Sequence, residues 1–196
     1  MFMRSSCGLS SLAALMLFAA SPARAGDYNA EAAFRLFTAT CVRSLGLPAE
    51  VRTWAAESRL APIPEPSALS TFVGPGPKGA AWVLPSPNNR RFTLSIRGGT
   101  GTCAVWAEAG DPETAEELFR KMVEGAKRPG VDISTESDEH FTTSTGKARL
   151  LTMGVADTTG EGYQFTLMAG DRTGTFFSGA PVQLSMQMTR VPPKKK

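Results

Sequence analysis

Arg97-Gly98-Gly99-Thr100-Gly101-Thr102-Cys103-Ala104-Val105-Trp106-Ala107 is the stretch from which the plan of this chain can be worked out. Three glycines in four positions read as a tight turn. The residues that follow alternate, with Cys103 and Val105 to one side and Ala104 and Trp106 to the other, which predicts a strand. Nucleotide-binding glycine loops open into a helix, so a strand at this point excludes the dinucleotide and phosphate-loop readings. Working back toward the N-terminus, residues 91–97 alternate cleanly. Phe92, Leu94 and Ile96 fall on one face, and Thr93, Ser95 and Arg97 on the other. A shorter strand at 81–84 precedes them, ended by the turn Pro85-Ser86-Pro87-Asn88-Asn89. Together these make a three-stranded meander.

The cysteine in this stretch raises the question of compartment. Residues 1–25 carry Arg4, an apolar run from Leu9 to Ala20 and the small-x-small pattern Ala23-Arg24-Ala25. That pattern predicts a secretory signal peptide cleaved after Ala25. The apolar run is shorter than the roughly 20 residues a membrane span needs. Cys7 lies ahead of the run, which excludes a lipid-anchor role for it. The mature domain is then 26–196, with Cys41 and Cys103 as its two cysteines. An even cysteine count in an oxidising compartment predicts a disulfide, and two cysteines allow only one pairing. Without Arg4 and Arg24 the 21 basic residues fall to 19 against 18 acids, a net charge of +1. Three of those positive charges are Lys194, Lys195 and Lys196, in a short basic tail over 192–196. The body is mildly acidic and lacks the basic patch that nucleic acid requires. No apolar run after residue 25 is long enough to span a membrane.

The rest of the chain divides by periodicity. Residues 27–45 predict a helix whose buried stripe is Ala30, Phe34, Phe37, Cys41 and Leu45. Asp27 or Asn29 can cap it, and Gly46 ends it. A second short helix follows at 49–58, with Val51, Trp54 and Ala55 inward. Residues 61–79 are rich in proline and glycine and read as a surface loop, tacked down by Leu69, Phe72 and Val73. Asp111 and Pro112 open the clearest helix, with the stripe Ala115, Leu118, Phe119, Met122, Val123 and Ala126. Four strands then follow. Residues 131–143 form a charged edge strand. The other three are marked by Leu151, Met153 and Val155, then Tyr163, Phe165 and Leu167, then Val182, Leu184, Met186 and Met188. The expected fold is α+β, with helices packed on one face of an antiparallel, meander-rich sheet whose other face is wet.

Little in this pattern supports catalysis. His140 is the single histidine, so any Ser-His-Asp or Cys-His arrangement would depend on it. It sits in a polar strand and reads as an exposed surface residue. One histidine and two bonded cysteines make no zinc site. Asp132, Glu136, Asp138 and Glu139 lack calcium-loop spacing and read as a solvated edge. Glu108 and Asp111 could be paired for glycoside hydrolysis, but Asp111 serves better as a helix cap. No catalytic residue, metal ligand or cofactor is assigned. The loop 170–179 places Phe176 beside Phe177, so one of the two rings can project toward a partner. The candidate partner-binding residues are Phe72, Trp106 if its side chain is exposed, Phe176 and Phe177.

The chain resembles a group of small exported proteobacterial proteins of unknown function. The resemblance lies in Thr40-Cys41-Val42, Val51-Arg52-Thr53-Trp54-Ala55, Ala81-Trp82-Val83-Leu84, Gly101-Thr102-Cys103-Ala104-Val105 and Leu118-Phe119-Arg120. It covers roughly residues 30 to 125 and implies export and the two-cysteine pairing, but no reaction. The expected function is an exported, non-catalytic protein, periplasmic or secreted, that binds an extracytoplasmic partner, an unknown protein or an apolar ligand. One alternative is a carrier of an apolar small ligand in a cavity between helices and sheet. The other is an envelope hydrolase using paired carboxylates.

Overall fold

A computed structural model describes residues 25–64, 66–74, 79–84, 91–97, 101–143, 146–174 and 182–191. Residues 1–24, 85–90 and 98–100, Phe176, Phe177 and the lysine tail, with the expectations stated for them above, lie outside the described residues. The elements run α1 (Ala25–Phe37), α2 (Pro48–Glu57), β1 (Ala61–Pro62), α3 (Pro66–Val73), β2 (Ala80–Leu84), β3 (Phe92–Ile96), β4 (Cys103–Ala107), α4 (Pro112–Glu124), β5 (Val131–Thr143), β6 (Gly146–Asp157), β7 (Gly162–Gly174) and β8 (Val182–Val191). The strands form one antiparallel sheet in the order β1-β2-β3-β4-β8-β7-β6-β5. The α+β plan and the meander therefore hold. The connection through α4 lets the second meander run back until β8 lies beside β4, with Val105 opposite Met186.

One face of the sheet carries the main core. Leu94 and Ile96 of β3, Cys103 and Val105 of β4, and Leu184, Met186 and Met188 of β8 point to it. So do Phe165 and Leu167 of β7 and Leu151 and Met153 of β6. The helices meet this face with Ala30, Ala33 and Phe37 of α1 and Ala115, Phe119 and Val123 of α4. Small residues on α1 let it lie close to both the sheet and α4. Phe37 meets the edge of Phe165, with ring centroids 6.5 Å apart. Each large side chain buried here contributes about 1.5–3 kcal/mol.

Two expectations need correction. Leu45 does not continue the buried stripe; it is 50% exposed. A π-helical turn over Thr38–Val42, with Gly46 N–H donating to the Cys41 carbonyl at 2.9 Å, moves the helix out of phase after Cys41. Leu45 and Gly46 then take successive left-handed conformations (φ 52° and 66°) that turn the chain into α2. A Cβ on Gly46 would stand 3.2 Å from the Gly101 carbonyl, so this corner rests on the chain entering β4.

The second correction concerns residues 61–79, which are not simply a loop. They contain β1 and the helix α3, and α3 lies across the face opposite α1 and α4. Phe72 packs against Trp106 and Ala104 there, and Val73 of the same helix is buried. Along this face Ser95, Trp106, Met168 and Ser185 are all buried, so its centre is dry. No helix among the described residues is long and apolar enough to cross a membrane.

Candidate functional site

Cys41 and Cys103 are bonded, with Cα atoms 5.4 Å apart and both side chains fully buried. The π turn and β4 bring them together, which ties the helical layer to the middle of the sheet. Trp106 and Phe72 also meet, with ring centroids 5.7 Å apart in an edge-on arrangement. This contact is internal. Trp106 is 3% exposed, and its indole N–H donates to Ser95 Oγ at 2.8 Å. It therefore cannot serve as an exposed anchor. Burial of an amphipathic ring with its polar tip satisfied is a packing role. His140 is exposed on β5, as its surroundings in the sequence suggest.

An open groove of about 790 Å³ lies where α1 and α4 begin, over the ends of β6, β7 and β8. Ala148, Leu167 and Ala169 give it an apolar floor. Glu113, Lys147 and Asp171 stand exposed at the rim. The loop before α4 is fixed in two ways. Asp111 Oδ2 accepts the Thr114 N–H and hydroxyl, both at 2.8 Å, as a helix cap. Gly110 N–H donates to Gln183 Oε1 at 3.2 Å, tying the loop to β8.

The wall between α4 and the outer strands is built from four charges. Arg149 grips Asp138 with two hydrogen bonds, at 2.8 and 2.7 Å, and also donates to Glu116. Arg120 bridges the same two acids, at 2.8 Å to Glu116 and 3.1 Å to Asp138. His140 Nε2 stands 3.7 Å from Asp138. The Arg149 hydrogen bond is the main cause that holds the Asp138 carboxyl below its ordinary value, and the same contact raises the Arg149 guanidinium. Asp138 is therefore more than a solvated edge residue, because it fastens β5 and β6 to α4. Its neighbour Glu139 points the other way and accepts a hydrogen bond from the Ser137 hydroxyl.

Asn29 is the polar residue at this site that the sequence suggested only as a cap; α1 begins at Ala25, so Asn29 lies in its second turn, inside the helix. It lines the groove, is 3% exposed, and its Oδ1 accepts no hydrogen bond. A buried amide oxygen without a donor costs about 1–3 kcal/mol. The only signal in the sequence is an asparagine at the border of an apolar helix face. No hydroxyl or thiol side chain lines the groove among the described residues, and none of their His, Cys, Asp and Glu groups is arranged to hold a metal ion. Comparison with known proteins returns no matching family model, no matching curated protein and no matching solved structure.

Proposed function

We propose that the protein is an exported, non-catalytic binding protein that takes a small polar ligand in the groove at the start of α4. The observation that carries this reading is the groove itself: an open space of about 790 Å³ with an apolar floor and a charged rim. A disulfide-tied scaffold and the signal-like residues 1–25 support residence outside the cytoplasm.

The alternatives have less support. An apolar carrier needs an empty space between helices and sheet, yet Phe37, Phe119, Leu167 and Met186 fill that layer. A hydrolase needs two free acids facing one another. Glu108 instead pairs with Arg91 at 3.6 Å, while Asp111 caps α4. Docking of a partner protein on Trp106 would require α3 to leave the sheet.

A small-molecule filtrate of periplasm, passed through a membrane that retains proteins, tests this reading by thermal unfolding. Ligand at about 100 times its dissociation constant adds about 2.7 kcal/mol and raises Tm by several degrees. Glu113→Gln, at the exposed rim, should lower the rise. A wild-type Tm indifferent to concentrated filtrate would end the proposal.

A further inference from the structure

We infer that removal of the leader moves the start of α1 forward to Asn29, which becomes the N-cap of the shortened helix; this rests on the cleavage after Ala25 expected for export. In the full chain α1 begins at Ala25, so Asn29 stands inside the helix as its fifth residue. An asparagine is poorly placed there. Its short amide competes with the backbone for hydrogen bonds, and it is among the best residues at an N-cap. Asn29 is also buried, at 3% exposure, and its Oδ1 accepts no hydrogen bond. A helical backbone at Asn29 does not present this oxygen to the N–H groups that follow. The extended backbone of an N-cap does, and the cap oxygen then accepts from the second or third residue of its helix. Those residues are Glu31 and Ala32.

Cleavage supplies the reason for the move. In an α-helix the Asn29 N–H donates to the Ala25 carbonyl, and cleavage after Ala25 takes that carbonyl away. It also leaves a positive α-ammonium on Gly26, at the end of the helix dipole that repels positive charge. Gly26 is itself a poor helix former. The first turn therefore loses a bond, gains a repulsion and still holds a glycine. The helix beyond this turn is fixed by packing. Ala30 and Ala33 are buried, and a Cβ on Gly110 would stand 3.4 Å from the Ala30 nitrogen, so the backbone is held closely from Ala30 onward. Asn29 is the junction between the two parts. With Asn29 as cap, Glu31 lies in the first turn, where its charge suits the dipole, and it keeps its pair with Arg35 at 3.3 Å. Asp27 is the competing cap, but a helix begun there leaves Asn29 in its interior and the buried oxygen unpaired.

The test compares two isotope-labelled chains by NMR: the mature protein beginning at Gly26, and a chain that retains residues 21–25 ahead of it. Backbone carbon shifts are expected to report non-helical residues 26–28 and an extended Asn29 in the mature protein, and a helix from Ala25 in the longer chain. Asn29→Ala, which suits a helix and does not endanger folding, should speed exchange of the Ala32 amide about fivefold in the mature protein. The same substitution should leave that amide unchanged in the longer chain, where the Tyr28 carbonyl holds it. Asn29→Ser keeps a cap oxygen and should restore slow exchange. Helical shifts at residues 26–28 in the mature protein, or one helix start shared by both chains, would overturn the inference. So would an Ala32 amide indifferent to Asn29→Ala in the mature protein. N-terminal sequencing of the exported protein decides the premise separately: a start other than Gly26 would end the cleavage reading, whereas a wrong helix start in the Gly26 chain ends the N-cap assignment alone.

Discussion

Asp138 shows how one carboxylate can matter at an otherwise polar edge. Arg149 and Arg120 hold its carboxyl below the ordinary value of 3.8, so folding favours the charged form. The stability that follows is fully present above the unfolded value. It is lost as the pH falls through the lower folded one. Its side chain is 34% exposed, and solvent screening keeps the contribution to about 1 kcal/mol or less. Asp138→Asn should therefore lower the urea midpoint at neutral pH, and the difference from wild type should shrink below about pH 4. A difference that stays constant down to about pH 2 would show that the carboxylate charge is not its source. None of this could be read from the local sequence. Alternation correctly sends Asp138 and Glu139 to opposite faces, but Arg149 lies on another strand and Glu116 on a helix. Asn29 was equally hidden: its identity is plain in the sequence, but its burial depends on which element packs over it. The pairing of Cys41 with Cys103 was legible because composition left each only one partner.

At the scale of elements, α3 covers the part of the second sheet face that holds Trp106. Phe72→Ala should remove the cover from Trp106 and destabilise the fold by about 1–2 kcal/mol, less than a fully buried phenylalanine would cost. Hydrogen exchange of the Trp106 indole N–H checks this directly, since the bond to Ser95 would become open to solvent. Unchanged protection would mean that α3 does not seal this face. The helix was readable, because Leu69, Phe72 and Val73 stand at i, i+3 and i+4. Prolines at 62, 64, 66, 75 and 77 obscured it, although Pro66 sits where a helix accepts proline, in the first turn. The opposite error occurred at Leu45, where a regular 3.6-residue period was carried through a turn that follows i→i−5 bonds. The helix α4 and the strands β3, β4 and β6 to β8 were legible because cap, period and core face agree in them. The wet second face was not, since alternation reports only that two faces differ, not that either one is exposed.

For the molecule as a whole, the bond between Cys41 and Cys103 closes a loop across 62 residues. Replacing both cysteines by serine should cost about 2–4 kcal/mol, read as a lower urea midpoint that no longer responds to reductant. Protein recovered from the envelope should begin at Gly26 and weigh two hydrogens less than its reduced form. Equal midpoints for wild type and the double variant would show that the bond does not stabilise the fold. Strand order was the part of the architecture furthest from the sequence, because it is set by pairings between distant segments. β8 is the last of the described strands in chain order, yet it lies between β4 and β7. Until it is in place, β4 and β7 both offer open edges in mid-sheet, and no backbone ladder joins the two meanders. In the export proposed above, N-terminus first, the chain would deliver its cysteines well before the strand that completes the sheet. Oxidation can precede closure, and the half-built protein depends on protection from neighbouring chains during that interval. A stop codon just before Val182 would thus remove the seam of the sheet and leave two unjoined halves.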